Sequence, residues 1–432
     1  MAISILTIIF LVLFSILAWR NFAYALFLFF VLLPSYVLRF QIGPLPATLL
    51  ELQFAIIFIF GIYKFHKQIS TQLKFYFKKY PYFFFFLLLF VLASIISIFT
   101  SADIRKALGE WKAFYIEPIL FFLILLGLDK KYSQNLTTAI LLCGLVTSLL
   151  AIFQHFTGFL VPHAFWENQN TYRVTAWYGF PNGVGLFLAP LFALAFYNIF
   201  KYKKINWQTI IAILFIPTNI LAIFFAKSTG ALIAIAGTIF LLLFFYKKTR
   251  LLITIFTITG FVLLFSLSQL ASIKTEITMQ DRSGQIRLGI WRDTANFLKD
   301  HPLTGSGIAS YNLRIVPYHQ KVNGEKIEIF HHPHNIFLTI WINTGILGLI
   351  AFLGILFNIF YLNIFEKKLT TQNYIVLVSL ISLLITGLVD SPIIKNDLAI
   401  VFWFIVFLNI IPNQNGEMSE LVEGAALEKR CI

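Results

Sequence analysis

Gln285-Ile-Arg-Leu-Gly-Ile-Trp291, His301-Pro-Leu-Thr-Gly-Ser-Gly307 and His331-His-Pro-His-Asn335 all lie in one stretch, Ser272 to Gly348, where a long polar loop runs into an apolar helix. Before it the chain is one hydrophobic run after another. Within it five histidines, several arginines and a glycine-rich turn gather outside any such run. Polar chemistry concentrated in a loop between spans marks the first place to look for a site.

The composition agrees with that reading. A hydrophobic fraction of 59%, 50 phenylalanines and a mean hydropathy of +0.83 lie outside the soluble globular class. Apolar runs fall at 2–19, 21–38, 47–63, 82–99, 113–128, 136–156, 182–200, 207–226, 229–246, 251–268, 336–362, 373–390 and 397–411. Most approach the roughly 20 residues a helical span requires. The sequence therefore predicts an all-α polytopic membrane protein of about 12–13 transmembrane helices. It divides into N-terminal spans 1–268, a long loop 269–335, C-terminal spans 336–411 and a polar tail 412–432. The first run lacks a charged leader and a cleavage site, so it reads as a span rather than a signal peptide.

The net charge of +14 does not point to nucleic acid, because most lysines sit between spans. Arg20, the lysines between 64 and 79, Lys130, Lys131, Lys201, Lys203, Lys204, Lys247, Lys248, Arg250, Lys367 and Lys368 put 16 cations in one set of alternate connections. The opposite short connections hold 7: Arg39, Arg105, Lys106, Lys112, Arg173, Lys227 and Lys395. The positive-inside bias makes the first set cytoplasmic. Segments 100–112, 157–181 and 269–335 then face outward, and the polar clusters share that side. Cys143 and Cys431 form no disulfide framework and no metal-ligand spacing.

In the long loop, Gln285–Asp300 reads as an amphipathic helix ended by His301-Pro302. Arg287 and Trp291 are four apart on it and share a face, so the guanidinium can rest against the indole. Asn323-Gly324 reads as a turn. His334, at the start of the next helix, can serve as a general base, with a free-solution pKa of roughly 6.5. The plainer reading is a helix entry in which Pro333 breaks the preceding segment and the histidines face water. The spacing does not favour zinc, because no Cys, Asp or Glu accompanies the histidines at ligand spacing and Pro333 disturbs the i, i+4 geometry. Arg173, Arg282, Arg287, Arg292 and Arg314 lie on the outward side. Arginine suits bidentate phosphate binding, although each can equally be a solvated loop charge paired with Asp281, Asp293 or Asp300. Lys227 either snorkels to the interface or adds a cation to a phosphate site. Gly305 and Gly307 read as turn residues, not a nucleotide loop. Glu51, Glu110, Glu117 and Asp390 are secondary candidates, and Asp390 and Lys395 can simply neutralise one another.

Three blocks, in order around one outer loop, resemble the O-antigen ligase family, which also includes O-antigen polymerases and bacterial protein O-oligosaccharyltransferases. Arg173-Val-Thr-Ala-Trp-Tyr-Gly-Phe-Pro-Asn182 is similar to an Arg, glycine, Pro-Asn element before a span. Arg287-Leu-Gly-Ile-Trp291 with His301-Pro-Leu-Thr-Gly-Ser-Gly307 resembles an Arg-x-x-x-Trp and His-Pro-x-x-Gly-x-Gly block. His334-Asn335 with Ile346-Leu-Gly-Leu349 resembles the family's closing element. Two departures stand out: Ser228-Thr229 occupies a turn where the family often has Ser-Arg, and Ala176 stands where a glycine is expected.

The resemblance implies a GT-C-like glycosyltransferase bundle in the bacterial inner membrane, serving lipopolysaccharide or other cell-envelope polysaccharide synthesis. It implies a glycan donor on undecaprenyl diphosphate and a glycolipid, glycan or protein acceptor, with no metal, cofactor or nucleic acid. Mapped here, His334 is the base. Arg173 and Arg287 meet the phosphates, and Asn182, Asn335, Trp291 and Lys227 complete the substrate site. A lipid-linked glycan transporter or flippase is the competing class. It would place ionisable groups at the membrane midplane of discontinuous, repeated helices. The sequence has no such repeat, and its charges gather at one surface.

Overall fold

A computed structural model describes residues 5–42, 45–168, 171–202, 204–366 and 370–411. The polar tail 412–432, with Cys431, lies outside them. The described residues are mostly helical, and each of the thirteen apolar runs coincides with a helix. Among the described residues, seven helices are long and apolar enough to cross a membrane, and five shorter apolar helices accompany them, Ile5–Arg20 and Asn396–Ile410 among these. The protein is an all-α, multi-pass membrane bundle.

Where the helices differ from the apolar runs, the reasons are local. The run at 47–63 continues to Lys79, giving a helix of 31 residues. At 1.5 Å per residue that is about 46 Å, well beyond a hydrocarbon core of about 30 Å. The lysines between 64 and 79 therefore ride on a helix that leaves the membrane, not in a loop. A capping box starts it: Thr48 Oγ1 accepts from Glu51 N at 3.2 Å and Glu51 Oε2 accepts from Thr48 N at 2.6 Å. A short hairpin pairs Arg39–Ile42 with Leu45–Thr48 just before it. Segment 100–112 is largely helical, with Ile104–Glu110 leading through a π-helical turn at Trp111–Ile116 into the span.

The Pro181–Lys201 helix runs through the middle of the bundle, buried along almost its whole length. Gly183, Gly185, Ala189, Ala193 and Ala195 let its neighbours approach closely, as small residues do in membranes. Its carbonyls around Pro190 are met from other helices. Asn219 Nδ2 donates to Leu188 O at 2.9 Å, Ser382 Oγ to Ala189 O at 3.1 Å and Ser379 Oγ to Pro190 O at 2.8 Å. In a medium without water such side-chain donors stabilise a proline-interrupted helix.

Helix Ile336–Tyr361 breaks at Gly345, whose φ of 69° and ψ of −178° are not helical. The break admits the turn that begins at His301. Ser306 N donates to Ile342 O at 2.6 Å, Ile346 N to Pro302 O at 3.2 Å and Trp341 Nε1 to Pro302 O at 2.9 Å. A Cβ on Gly345 would lie 2.0 Å from Leu303 O, so only glycine fits. The glycine-rich turn is thus wedged into the helix that follows the histidines.

The amphipathic helix starts three residues earlier than its apolar pattern, at Arg282, because Asp281 caps it through Ser283 N and Gly284 N. Ile290, Phe297 and Leu298 bury against Tyr311, Ile315 and Ile342. Asn323 and Gly324 both have positive φ, as the turn between Val322 and Glu325 requires.

Candidate active site

The connections assigned to one side by charge meet at one end of the bundle. Ser101 Oγ reaches Ile308 O at 2.9 Å and Ala102 N reaches Ser310 Oγ at 2.8 Å. Arg173 reaches the 226–227 turn, and Arg287 reaches Val389. Between these segments opens a cavity of about 380 Å³. Arg173, Asn182, Lys227, Arg287 and Asp390 line it, together with Glu276.

Both arginines are fixed from behind by backbone carbonyls. Arg173 Nε donates to Ala226 O at 2.9 Å, and its NH2 donates to Lys227 O at 2.9 Å and to Asn182 Oδ1 at 3.1 Å. Arg287 Nε donates to Val389 O at 3.1 Å and NH1 to Ser283 Oγ at 3.0 Å. The Arg287 guanidinium is thus held by Val389 O and Ser283 Oγ. Burial, then the charge of Arg287, pulls the Arg173 pKa down, and nearby Glu276 partly offsets this. Two half-buried guanidinium groups facing one cavity repel, and an anion between them would relieve the repulsion. Lys227 is exposed, with Nζ 5.6 Å from the centre of the Tyr172 ring. Glu276 accepts from Thr229 Oγ1 at 2.8 Å. Arg282 and Arg292, in contrast, pair with Glu325 and Asp293, each at 3.1 Å.

A hydrogen-bonded row leads out of the cavity. From Arg173 it passes to Asn182, whose Nδ2 donates to Asp390 Oδ2 at 3.3 Å. Asp390 Oδ1 then meets His334 Nδ1 at 3.1 Å and accepts from Ser391 N at 2.8 Å. Burial raises the Asp390 pKa, but the hydrogen bond and charge of His334, then that of His332, more than reverse this and hold the carboxyl below its ordinary range. In the sequence Asp390 is a secondary candidate, with neutralisation of Lys395 as its plainer role. Instead Lys395 Nζ lies over the rings of Tyr36, Tyr178 and Phe180 at 5.3, 5.1 and 4.5 Å. Nothing in the spacing of the chain links Asp390 to a histidine 56 residues earlier. The only sequence signal is an acid at the end of an apolar run, just before Ser391-Pro392.

His334, Trp291 and Asn335 stand off the cavity lining. Trp291 Nε1 donates to Pro333 O at 3.0 Å. Asn335 caps the following helix, its Oδ1 accepting from Phe337 N and Leu338 N at 3.0 Å and its Nδ2 donating to Leu388 O at 3.0 Å. These two side chains thus clamp the turn that carries His334. That turn holds His334 at φ 49°, and Ala176 and Lys227 also have positive φ, at 46° and 48°. Backbone strain of this kind collects where a surrounding structure fixes functional groups. Ala176, where the family resemblance expects glycine, adopts a glycine-like conformation.

His332, His334 and Asp390 also place one ligand atom each within 4.8 Å of one another. Their donor set, two imidazoles and a carboxylate, fits an ion of the zinc class.

Residues 210–353, one third of the chain, match the family model described as O-antigen ligase. The match takes in Lys227, Arg287, Trp291, His334 and Asn335, while Arg173, Asn182 and Asp390 fall outside it. No curated protein gives a significant match to the chain.

Proposed function

The chain is, by the domain at residues 210–353, a member of the O-antigen ligase family, whose activity is of the glycosyltransferase type, and from that premise we propose a specific reaction. The protein takes a glycan from undecaprenyl diphosphate and passes it to an acceptor hydroxyl on the outer side of the bacterial inner membrane. The observation that carries this reading is the row Arg173–Asn182–Asp390–His334, which joins a cationic cavity to an imidazole.

The donor's diphosphate occupies the cavity, where Arg173, Arg287 and Lys227 meet its charge. Asp390 accepts Nδ1–H of His334, which leaves Nε2 to take the acceptor's proton. The freed oxygen attacks the anomeric carbon as the carbon–oxygen bond to diphosphate breaks. Undecaprenyl diphosphate leaves with the electron pair, stabilised by the guanidinium groups. A single displacement inverts the anomeric centre. No nucleotide is required, and Trp291 and Asn335 contribute by fixing the His334 turn. Ligase, polymerase and protein glycosyltransferase variants share this chemistry and differ in the acceptor. The deciding experiment incubates purified protein and undecaprenyl-diphosphate glycan with lipid A-core, free glycan or protein acceptors. Transfer to one of them supports the reading. Movement of the donor across a bilayer with no transfer overturns it in favour of a transporter.

A further inference from the structure

The spacing around the histidines gives no reason to expect a metal, because Pro333 disturbs the helical i, i+4 geometry. The fold supplies the missing carboxylate from Asp390. We propose that His332, His334 and Asp390 form a binding site for a divalent transition ion of the zinc class, and that an ion held there blocks glycan transfer. The blocking rests on the function proposed above, whereas the binding does not.

The donor set comes first. Two imidazole nitrogens and one carboxylate oxygen match zinc-class ions, whereas magnesium and calcium take mainly oxygen. A tetrahedral ion about 2.1 Å from its ligands sets them about 3.4 Å apart. The three ligand atoms already lie within 4.8 Å of one another, and His334 Nδ1 and Asp390 Oδ1 are at 3.1 Å. Contraction of the remaining gaps needs only small side-chain rotations.

The surroundings prepare the ligands. The His332 ring is half-buried, with its centre 4.7 Å from that of His334, so the two imidazoles already stand side by side. Asp390 is steadied by Asn182 and Ser391 N, the kind of outer partners that orient a ligating carboxylate. His332 Nδ1 accepts from His334 N at 3.3 Å. Whichever ring nitrogen takes the ion, the contact given up is this long one: a metal on Nδ1 occupies its lone pair, and a metal on Nε2 leaves the proton on Nδ1. Three protein ligands leave a position for water, the pattern of an exchangeable rather than a structural site. With the ion in place Asp390 no longer orients His334, and the imidazole no longer accepts a proton.

The test uses full-length protein purified without a polyhistidine tag and stripped with chelator. Cobalt(II) serves as a spectroscopic probe and zinc as a competitor, with no glycan present. Wild type is expected to bind one ion with a four-coordinate cobalt spectrum that zinc abolishes. His332→Asn keeps an oxygen to accept from His334 N but loses the ring, and should bind at least about tenfold more weakly. His163→Ala, which removes an exposed histidine beside Glu167, should bind as wild type. In the transfer assay zinc should inhibit, chelator should restore the rate, and His332→Asn should need at least about tenfold more zinc for half-inhibition relative to its own zinc-free rate. Equal binding by His332→Asn and wild type, or loss of binding in His163→Ala, overturns the site. Binding without inhibition overturns the blocking. Absence of transfer under all conditions counts against the proposed reaction and leaves the binding result standing.

Discussion

His334 and Asp390, 56 residues apart in the chain, meet through Nδ1 and Oδ1 at 3.1 Å, the one just before helix Ile336–Tyr361 and the other just after helix Thr371–Gly387. Asp390 is buried and bonded on its other oxygen to Asn182, so its position is fixed independently of the histidine. The carboxylate holds the proton on Nδ1 and leaves Nε2 as the base. Asp390→Asn can present an amide N–H to Nδ1 and reverse the tautomer. Transfer should fall about 10²–10⁴-fold with folding retained. Steady-state rates together with a melting curve decide it; a near-normal rate would remove Asp390 from the mechanism.

Arg173 and Arg287 hold backbone carbonyls with one edge while lining the cavity. A lysine cannot do both, because it lacks the planar fork. Arg173→Lys and Arg287→Lys should each reduce turnover on the order of 10²-fold, comparable to loss of one preorganised donor. Arg314→Lys, away from the cavity lining, should leave turnover unchanged. Equal effects at all three positions would mean the arginines act as a diffuse charged surface.

Ala176 keeps φ 46° because Gln154 holds it from three sides. Gln154 Oε1 accepts from Thr175 N at 3.1 Å and Ala176 N at 2.7 Å, and Nε2 donates to Ala176 O at 2.9 Å. Gln154→Leu strands these buried groups and should cost about 2–4 kcal/mol, a few unsatisfied groups' worth. The displaced segment carries Arg173, so donor affinity should weaken as well. Ala176→Gly relieves the left-handed strain, about 1–2 kcal/mol, against the extra chain entropy of glycine, and should come out neutral to mildly stabilising. Thermal unfolding in detergent measures both.

His332 gives the stability a pH dependence. Its folded pKa of about 4 lies below the ordinary 6.5, through burial and then the charge of His334. Asp390 faces it with the opposite charge, and His331 adds a like one. Between those pH values the unfolded chain binds more protons, so stability rises with pH across the window. The contribution is complete above about 6.5 and is lost as pH falls toward about 4. In chelator-treated protein, His332→Asn should flatten the fall in melting temperature over this range. An identical slope in wild type and variant would show that His332 does not sense it.

The spans were legible because an apolar run long enough to cross a bilayer has few alternatives to a helix. The Gln285–Asp300 face was legible too, since Ile290, Phe297 and Leu298 follow its period. Two features were not. The break at Gly345 leaves no trace in hydropathy, because a glycine in an apolar run reads like any small packing residue until the turn at Leu303 enters beside it. Asp390 was visible as an acid at a membrane edge, but its partner was decided by which helices pack together, and local periodicity carries no such information. The motifs suggest Trp291 and Asn335 as substrate contacts, yet their side chains are spent on Pro333 O, Leu388 O and the helix cap. Motif membership did not distinguish touching a substrate from holding a turn.

The reading finally depends on His334. It has the tautomer-fixing carboxylate, the constrained φ and the clamp from Trp291 and Asn335, while His331 is exposed beside it. His334→Ala removes the base and should lower transfer about 10²–10⁴-fold. Donor binding should persist, because Arg173, Arg287 and Lys227 are untouched and His334 lies off the cavity lining. His331→Ala should keep most of the activity. The pair of measurements separates catalysis from binding: donor affinity by titration with undecaprenyl-diphosphate glycan, and turnover with acceptor present. Loss of both in His334→Ala would make the histidine a structural support for the cavity. Retention of both would leave the cavity an anion-binding site without chemistry, and a transporter would then be the better description.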